Sequence, residues 1–373
     1  MMKKRMAGTL ALLSAMAISV TGCSVGNRPD DTAEAVKVEG VSIPLGEVNF
    51  LLRYQQTQMQ SSYGMFFGED YLNQDLMGTG IPYGVTMRDG VVETLEEYYL
   101  VEAHAEELGV TLSEEDKTKA SEAAKAFIAA NDSKTLKAMS AEEATVTHVL
   151  EMMALQSKVY DNRAETIDTQ VDQEEAAQKR ISYVEDSTSG DYDEEGNEIP
   201  LSEEEITSKK TQMDELLNEV KAGQSLSEAA EAKELYCNEA VNYGKDDASL
   251  PDAVKNAADA LQDGEYSEVI EAEDGYYIVY MESTYDEAAT QEAIQDILRE
   301  RESDAYLAWL DPLKEAAEIT SNEEVLGLLT FERLFSEPAA EEEEAAEETE
   351  DTEETDAEGT EETDSEGDPQ TEE

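Results

Sequence analysis

The sequence predicts an α+β fold: a mainly helical body joined to one small antiparallel sheet flanked by helices. Three observations carry this. Apolar residues recur at helical spacing from about residue 36 to 170 and again from Asp286 to Thr320. The strongest β-rich runs are confined to one region, as RISYV from Arg180 to Val184, SEVIEA from Ser267 to Ala272 and YYIVYM from Tyr276 to Met281. The last two flank the turn Glu273, Asp274, Gly275, which predicts an antiparallel hairpin with RISYV as its third strand.

The ends of the chain place the protein before its core does. Lys3, Lys4 and Arg5 precede an apolar run from Met6 to Val20, and Val20, Thr21 and Gly22 lead into Cys23. A basic start, a short apolar segment and small residues before a cysteine form a bacterial lipoprotein signal, too short to span a bilayer. Residues 1–22 are thus expected to be removed and Cys23 to carry lipid. Only Cys237 is left, so an internal disulfide cannot form even where export permits one, and stability must come from packing.

At the other end, residues 336–373 contain no Lys or Arg, and 20 of the chain's 90 acidic residues lie from Glu337 onward. Such a segment cannot bury enough apolar surface to offset its ordering entropy, which predicts a disordered acidic tail. Without it the formal net charge of −64 becomes −44, so the body is acidic in its own right. That argues against a nucleic-acid partner, whose phosphates require clustered Lys and Arg.

Residues 23–35 read as a polar tether. Val36 and Val38, the turn at Glu39 and Gly40, then Val41 and Ile43 predict a short hairpin. A helix follows, marked at its start by Pro44 and Gly46, with Val48, Leu51, Leu52, Gln55 and Met59 at helical spacing. Residues 61–84 form a glycine-broken stretch with Tyr63, Met65, Phe66, Phe67 and Tyr71. It either offers adaptable apolar surface to an unfolded chain or plugs the core. Val91, Leu95, Tyr98, Val101 and Leu108 predict a helix ending at Gly109, and Ser113 with Glu115 and Asp116 predicts the cap of the next. His148, Met152, Leu155 and Val159 share one face of a third helical stretch. Neither His104 nor His148 has a Cys or second His at ligand spacing, so no metal site is expected. Asp191, Asp193, Glu195 and Gly196 faintly resemble a calcium loop, but Ser202 stands where the bidentate Glu belongs; an exposed acidic hairpin is the ordinary reading.

Between the first strand and the hairpin, the runs TSKKTQMDELLNEVKAG, SLSEAAEAK and PDAVKNAADALQDG predict three helices around a polar middle. Taken with GEYSEVI and GYYIV, this stretch resembles the parvulin-type (PpiC-like) prolyl isomerase domain. The surrounding chain, including VEGVSIPLGEVNFLL, resembles PrsA/SurA-type extracytoplasmic foldase lipoproteins. The resemblance implies a helical chaperone domain at 36–170, a parvulin-like domain at 171–285 inserted into it, and C-terminal helices at 286–335 that return to complete it. It implies no cofactor, unfolded or newly secreted polypeptides as partners, a membrane held through lipid on Cys23, and the extracytoplasmic face of the bacterial cell membrane as location. A homodimer is a further partner it allows.

In parvulins the twisted prolyl amide, whose rotation barrier is about 18–20 kcal/mol, is held by apolar side chains and a hydrogen-bonded cluster of two His and a Cys or Asp. Carried over residue by residue, the second histidine column holds Tyr277, and the first, in RISYV, holds Ile181 or Ser182 depending on register. Cys237 falls where the Cys or Asp lies. Val254 and Asp259 occupy the proline-pocket columns, with Leu261 and Ile278 as further substrate-binding positions. A carboxylate at Asp259 is a poor floor for a prolyl ring. The sequence therefore predicts a retained scaffold with weak or absent isomerase activity, and two versions stay open: an isomerase working through Tyr277, or a holdase that uses the scaffold only to bind clients.

Overall fold

The computed structural model describes residues 17–21, 30–192, 198–332 and 334–336. Cys23, residues 1–16 of the expected signal peptide and nearly all of the acidic tail lie outside the described residues. Within them, no helix is long and apolar enough to cross a membrane.

The helical body is built on α1 (Leu45–Phe67). Its Leu45, Val48, Phe50 and Leu52 are fully buried together with the polar Arg53, Gln56 and Thr57, so it is enclosed on most sides. Before it, β2 (Glu34–Val38) and β3 (Val41–Pro44) form the expected hairpin, with Glu39 and Gly40 in left-handed conformation at the turn. The tether ends earlier than the sequence suggested: Ala35 is fully buried, and the Asp31 carbonyl accepts from Gly46 N–H at 2.8 Å. A small apolar side chain beside Val36 suffices to carry the core outward.

Around α1 pack α2 (Tyr83–His104), α3 (Glu114–Ala130), the short α4 (Ser133–Ala138) and α5 (Glu143–Ala164). Gly109 ends the α2 region in a left-handed turn, and Ser113 with Asp116 closes a capping box on α3. One expectation changes: Ser61 to Phe67 continue α1 instead of opening a loop, and the helix stops only at Gly68, whose φ is +85°. The i→i−4 ladder tolerates the single Gly64, because its missing side chain costs entropy but no hydrogen bond.

After α6 (Gln173–Ala176) the chain enters a four-stranded antiparallel sheet. Its strands are β4 (Lys179–Ser187), β7 (Cys237–Tyr243), β8 (Ile270–Glu271) and β9 (Gly275–Ser283), in the order β7-β4-β9-β8. A two-stranded ribbon of β5 (Asp191–Tyr192) and β6 (Glu198–Ile199) leaves β4, at the place of the expected acidic hairpin. Helices α7 (Glu203–Lys221) and α8 (Leu226–Glu231) cover one face of the sheet and α9 (Asp252–Asp259) the other. Ser202 caps α7 through a box with Glu205. The polar middle of the sequence is β7, an edge strand whose half-exposed CNEAVNY lacks an apolar rhythm.

From the sheet the chain passes into α10 (Glu287–Ala316), which packs on α2 and α5 through Tyr306 and Leu310 against Val101, Leu155 and Val159. Beyond it β10 (Ile319–Ser321) pairs with β2, and α11 (Glu323–Leu326) leads to β11 (Leu334–Ser336), which lies on α1. A last strand comes from the chain's beginning: β1 (Ser19–Thr21) pairs antiparallel with β11. The entry to and exit from the sheet region lie side by side, where Arg180 Nη1 meets Asp286 Oδ2 at 2.8 Å and the Gln178 amide donates to Thr290 Oγ1 at 3.0 Å.

Candidate functional site

Strand parity decides what can act together on this sheet. On β4, Ile181 and Tyr183 point to the α9 side, and on β9 so do Tyr277, Val279 and Met281. Val184, Tyr276 and Ile278 point to the α7 and α8 side, and Cys237 packs there too. The sequence-derived site residues are therefore divided. Tyr277, Val254 and Leu261 share the α9 face, whereas Ile278 and Cys237 lie across the sheet.

Ser182 sits at the β4–β7 bulge. Two residues, Glu239 and Ala240, stand there against the single Ser182, and Ala240 takes a left-handed φ of +53°. The Ser182 hydroxyl accepts from Ala240 N–H at 3.2 Å and donates to Glu282 Oε1 at 2.5 Å. That engagement fixes the bulge and leaves the hydroxyl turned away from Tyr277.

The neighbour of Tyr277 is Tyr183, with ring centroids 6.5 Å apart, and Asn238 stands opposite Tyr183 on β7. Tyr183 is thus the ring beside Tyr277, while Glu185 stands directly opposite Tyr277 in the β4–β9 register and Ile181 and Ser182 stand opposite Met281 and Tyr280. Strict period-two reading of RISYV, with Ile181 facing inward, would have put Tyr183 on that face. Tyr277 is 1% exposed, and burial, then Asp274 and Glu185, push its phenol well above the ordinary value. Burial also raises Tyr183. Both rings are neutral at physiological pH and offer hydroxyl hydrogen bonds, not an imidazole able to exchange protons.

The proline-pocket columns are filled from within. Val254, on α9, is fully buried against the sheet, and Ile278 is fully buried on the opposite face, so neither reaches a peptide. Asp259 accepts from Tyr243 Oη and from Lys179 Nζ, each at 2.9 Å. Burial would raise its carboxyl, but those hydrogen bonds outweigh burial and hold it below the usual carboxylate range. What remains at the surface is a shallow rim of partly exposed Tyr183, Val241, Leu261 and Ile270.

Cys237 is no nucleophile in this setting. Burial first, then Glu239 and Glu282, push its thiol up to about 11, which keeps it protonated. Among the described residues no group of three or more His, Cys, Asp or Glu is arranged to hold a metal ion.

A second surface lies at the tip of the helical body. Met65, Phe66 and Phe67 at the end of α1, with Met77 and Ile81 in the following loop, are between 47% and 82% exposed. They stand on an aromatic base in which Tyr63 stacks on Tyr83 at 5.7 Å and touches Phe67 and the buried Tyr71. The Asp75 carboxylate accepts from the Thr79 and Gly80 amides and folds the loop, while Gln74 holds the Phe67 carbonyl. The 61–84 stretch is thus divided: Tyr71 and Leu72 plug the core, and five large apolar side chains face solvent.

Comparison with known proteins finds the following similarities. Residues 186–296 match the model of the PPIC-type PPIASE domain. Foldase protein PrsA from two strains of Clostridium perfringens is 26% identical over 326 residues, covering 82% of this chain and 91% of the relative. Among solved structures, the peptidylprolyl isomerase PrsA from Bacillus cereus is 14% identical, with 80% of this chain and 96% of that chain covered at a TM-score of 0.32. Foldase protein PrsA from Lactococcus lactis is 16% identical, with 79% and 97% covered at a TM-score of 0.31. Residues 186–296 are thus similar to the PPIC-type PPIASE domain, within a chain that is similar to the PrsA foldase of Clostridium perfringens over 82% of its length.

Proposed function

We propose that this protein is a folding factor on the extracytoplasmic face of the bacterial membrane, held there through lipid on Cys23, that binds unfolded secreted polypeptides and holds them more than it isomerises them. The observation that carries the reading is the exposed apolar tip formed by Met65, Phe66, Phe67, Met77 and Ile81. Monomeric surfaces seldom leave so many large apolar side chains in water together, and Met and Phe adapt to varied partners. The flanking charges, Glu69, Asp70 and Asp75, are all acidic, which suits clients with basic residues near their apolar segments.

The isomerase version is disfavoured by the sheet. Tyr277, in the column that the resemblance gives to the second histidine, is sealed from solvent with the ring of Tyr183 beside it, the chain's two histidines lie in the helical body, and Asp259 is engaged by Lys179 and Tyr243. On this reading 36–170 and 286–335 make one client-holding domain, and 171–285 is an inserted isomerase scaffold that adds surface.

The test is one refolding experiment read in two ways, with a proline-limited substrate protein. The full chain should suppress aggregation of that substrate while leaving its slow proline phase unchanged, and the double substitution Met65→Ser with Phe66→Ser should abolish the suppression. A slow phase that accelerates in proportion to protein concentration would restore the isomerase version, and suppression untouched by the double substitution would remove the tip from the proposal.

A further inference from the structure

Sulfur is unevenly placed in this protein. Met65 and Met77 are 82% and 66% exposed, and both stand on the apolar tip. Among the described residues every other methionine is covered. Met87, Met139, Met152, Met213 and Met281 are buried, and Met59 and Met153 pack half-buried against the main hydrophobic cluster. Cys237 is half-buried and stays protonated through burial and its acidic neighbours, so it lacks the thiolate that reacts. The described sulfur that solvent reaches freely is therefore concentrated on the surface that carries the client-binding reading.

Both side chains can change chemically without disturbing what holds the tip together. Met65 lies in the last turn of α1, just before its stop at Gly68. Met77 lies in the loop that the Asp75 carboxylate folds by accepting from the Thr79 and Gly80 amides, so that loop is shaped by backbone hydrogen bonds and not by the Met77 side chain. The packing beneath is aromatic, with Tyr63 against Tyr83 and Tyr71. A thioether is soft and apolar, and a peroxide converts it to a sulfoxide, which is polar and accepts hydrogen bonds. The sulfur attacks one peroxide oxygen, the O–O bond breaks as the S–O bond forms, and water leaves with both peroxide protons. Sulfur is oxidised by two electrons and the peroxide is reduced by two. No neighbouring base is required, so access selects which methionines react.

We propose that Met65 and Met77 form a paired oxidation site for peroxides, and that their conversion to sulfoxides reversibly weakens client holding by the tip. Two of the tip's five large apolar side chains then become polar while Phe66, Phe67 and Ile81 are unchanged, so binding falls without vanishing. Reduction of the sulfoxides by methionine sulfoxide reductases restores the thioethers. The inference rests on the client-holding reading and adds the regulation of that same surface.

The full chain is treated with hydrogen peroxide, oxidation is located by peptide mass spectrometry, and suppression of substrate aggregation is measured on the same samples. Met65 and Met77 should gain oxygen at least about tenfold faster than Met139, Met152, Met213 and Met281. Once both are oxidised, the protein concentration that halves aggregation should rise at least about threefold, and methionine sulfoxide reductases A and B should return it to its starting value. A chain with Met65→Leu and Met77→Leu keeps every other methionine. Peroxide should move its half-suppression concentration by less than about 1.5-fold from that of its own untreated sample. Equal oxidation rates at tip and core, complete oxidation of the tip with unchanged suppression, or equal losses in the parent and the doubly substituted chain would each overturn the proposal. So would a loss of suppression accompanied by loss of the cooperative urea transition, which would trace the effect to unfolding. An untreated parent that suppresses no aggregation would instead remove the client-holding reading, and this inference with it.

Discussion

His148 sets a pH dependence that can be worked out from its neighbours. Its Nδ1 lies 2.8 Å from Glu47 Oε1 on α1 and its Nε2 3.5 Å from Glu102 on α2, while the Tyr99 hydroxyl donates to the other Glu47 oxygen at 2.9 Å. Three helices meet at this one imidazolium. Hydrogen bonding to Glu102, then to Glu47, outweighs burial and pushes His148 up to about 10 from an ordinary 6.5. The folded state therefore binds a proton more tightly than the unfolded chain. The stabilisation is fully present below about pH 6.5 and is lost as pH rises toward about 10. Such a rise corresponds to about 5 kcal/mol for a dry pair. The imidazole keeps 32% of its surface exposed, and solvent screening reduces the figure to about 1–3 kcal/mol. Urea unfolding of the full chain and of His148→Gln at pH 6, 8 and 10 measures it. The parent should lose about 1–3 kcal/mol more than the variant between the first and last pH. Because net self-repulsion acts on both chains alike, the difference isolates the imidazole. Parallel pH slopes in parent and variant would refute the reasoning.

Three further outcomes follow from the sheet and the loop. Ser182→Ala strips the Ala240 N–H and Glu282 of a buried partner and should cost about 1–3 kcal/mol in urea unfolding, with a loss below a few tenths counting against the bulge's dependence on Ser182. Asp75→Ala should speed hydrogen exchange of the Thr79 and Gly80 amides by about tenfold while leaving the amides of α1's first turns unchanged; unchanged exchange would mean that other contacts fold the loop. In a Cys23→Ser chain, Cys237 should react with iodoacetamide at pH 8 about a hundredfold more slowly than an unhindered thiol, the rate climbing toward pH 11. Labelling at the free-thiol rate would show that burial and the neighbouring Glu239 and Glu282 do not hold the Cys237 proton.

Much of the fold was readable because its signals are local. The boxes at Ser113 with Asp116 and Ser202 with Glu205, the left-handed stop at Gly109, and the hairpin around Glu273 to Gly275 each depend on residues within a turn of one another. The site was less readable. β7 escaped notice because an edge strand with half its residues in water carries no apolar alternation. Which β4 side chains flank Tyr277 was not legible, because a one-residue difference in register exchanges the two faces of a strand and a five-residue run alone does not fix that register. His148 looked like an ordinary helical histidine, since its two carboxylates come from other helices, 101 and 46 residues away in sequence.

By itself the sequence determined the class of the chain: an acidic body, a helical frame and one compact β-rich unit. These follow from composition and short-range periodicity, which survive without knowledge of what packs on what. Only the tertiary structure decided what the unit can do. It put the partly exposed Tyr183 beside the buried Tyr277, sent Cys237 and Ile278 to the other side, and left five apolar side chains of the 61–84 stretch in water while burying their neighbours. It also seated Ile18 in the core against a strand more than 300 residues away. Chemistry at a site depends on which side chains share a face and whether solvent reaches them, and both are properties of register and packing that no stretch of sequence holds alone.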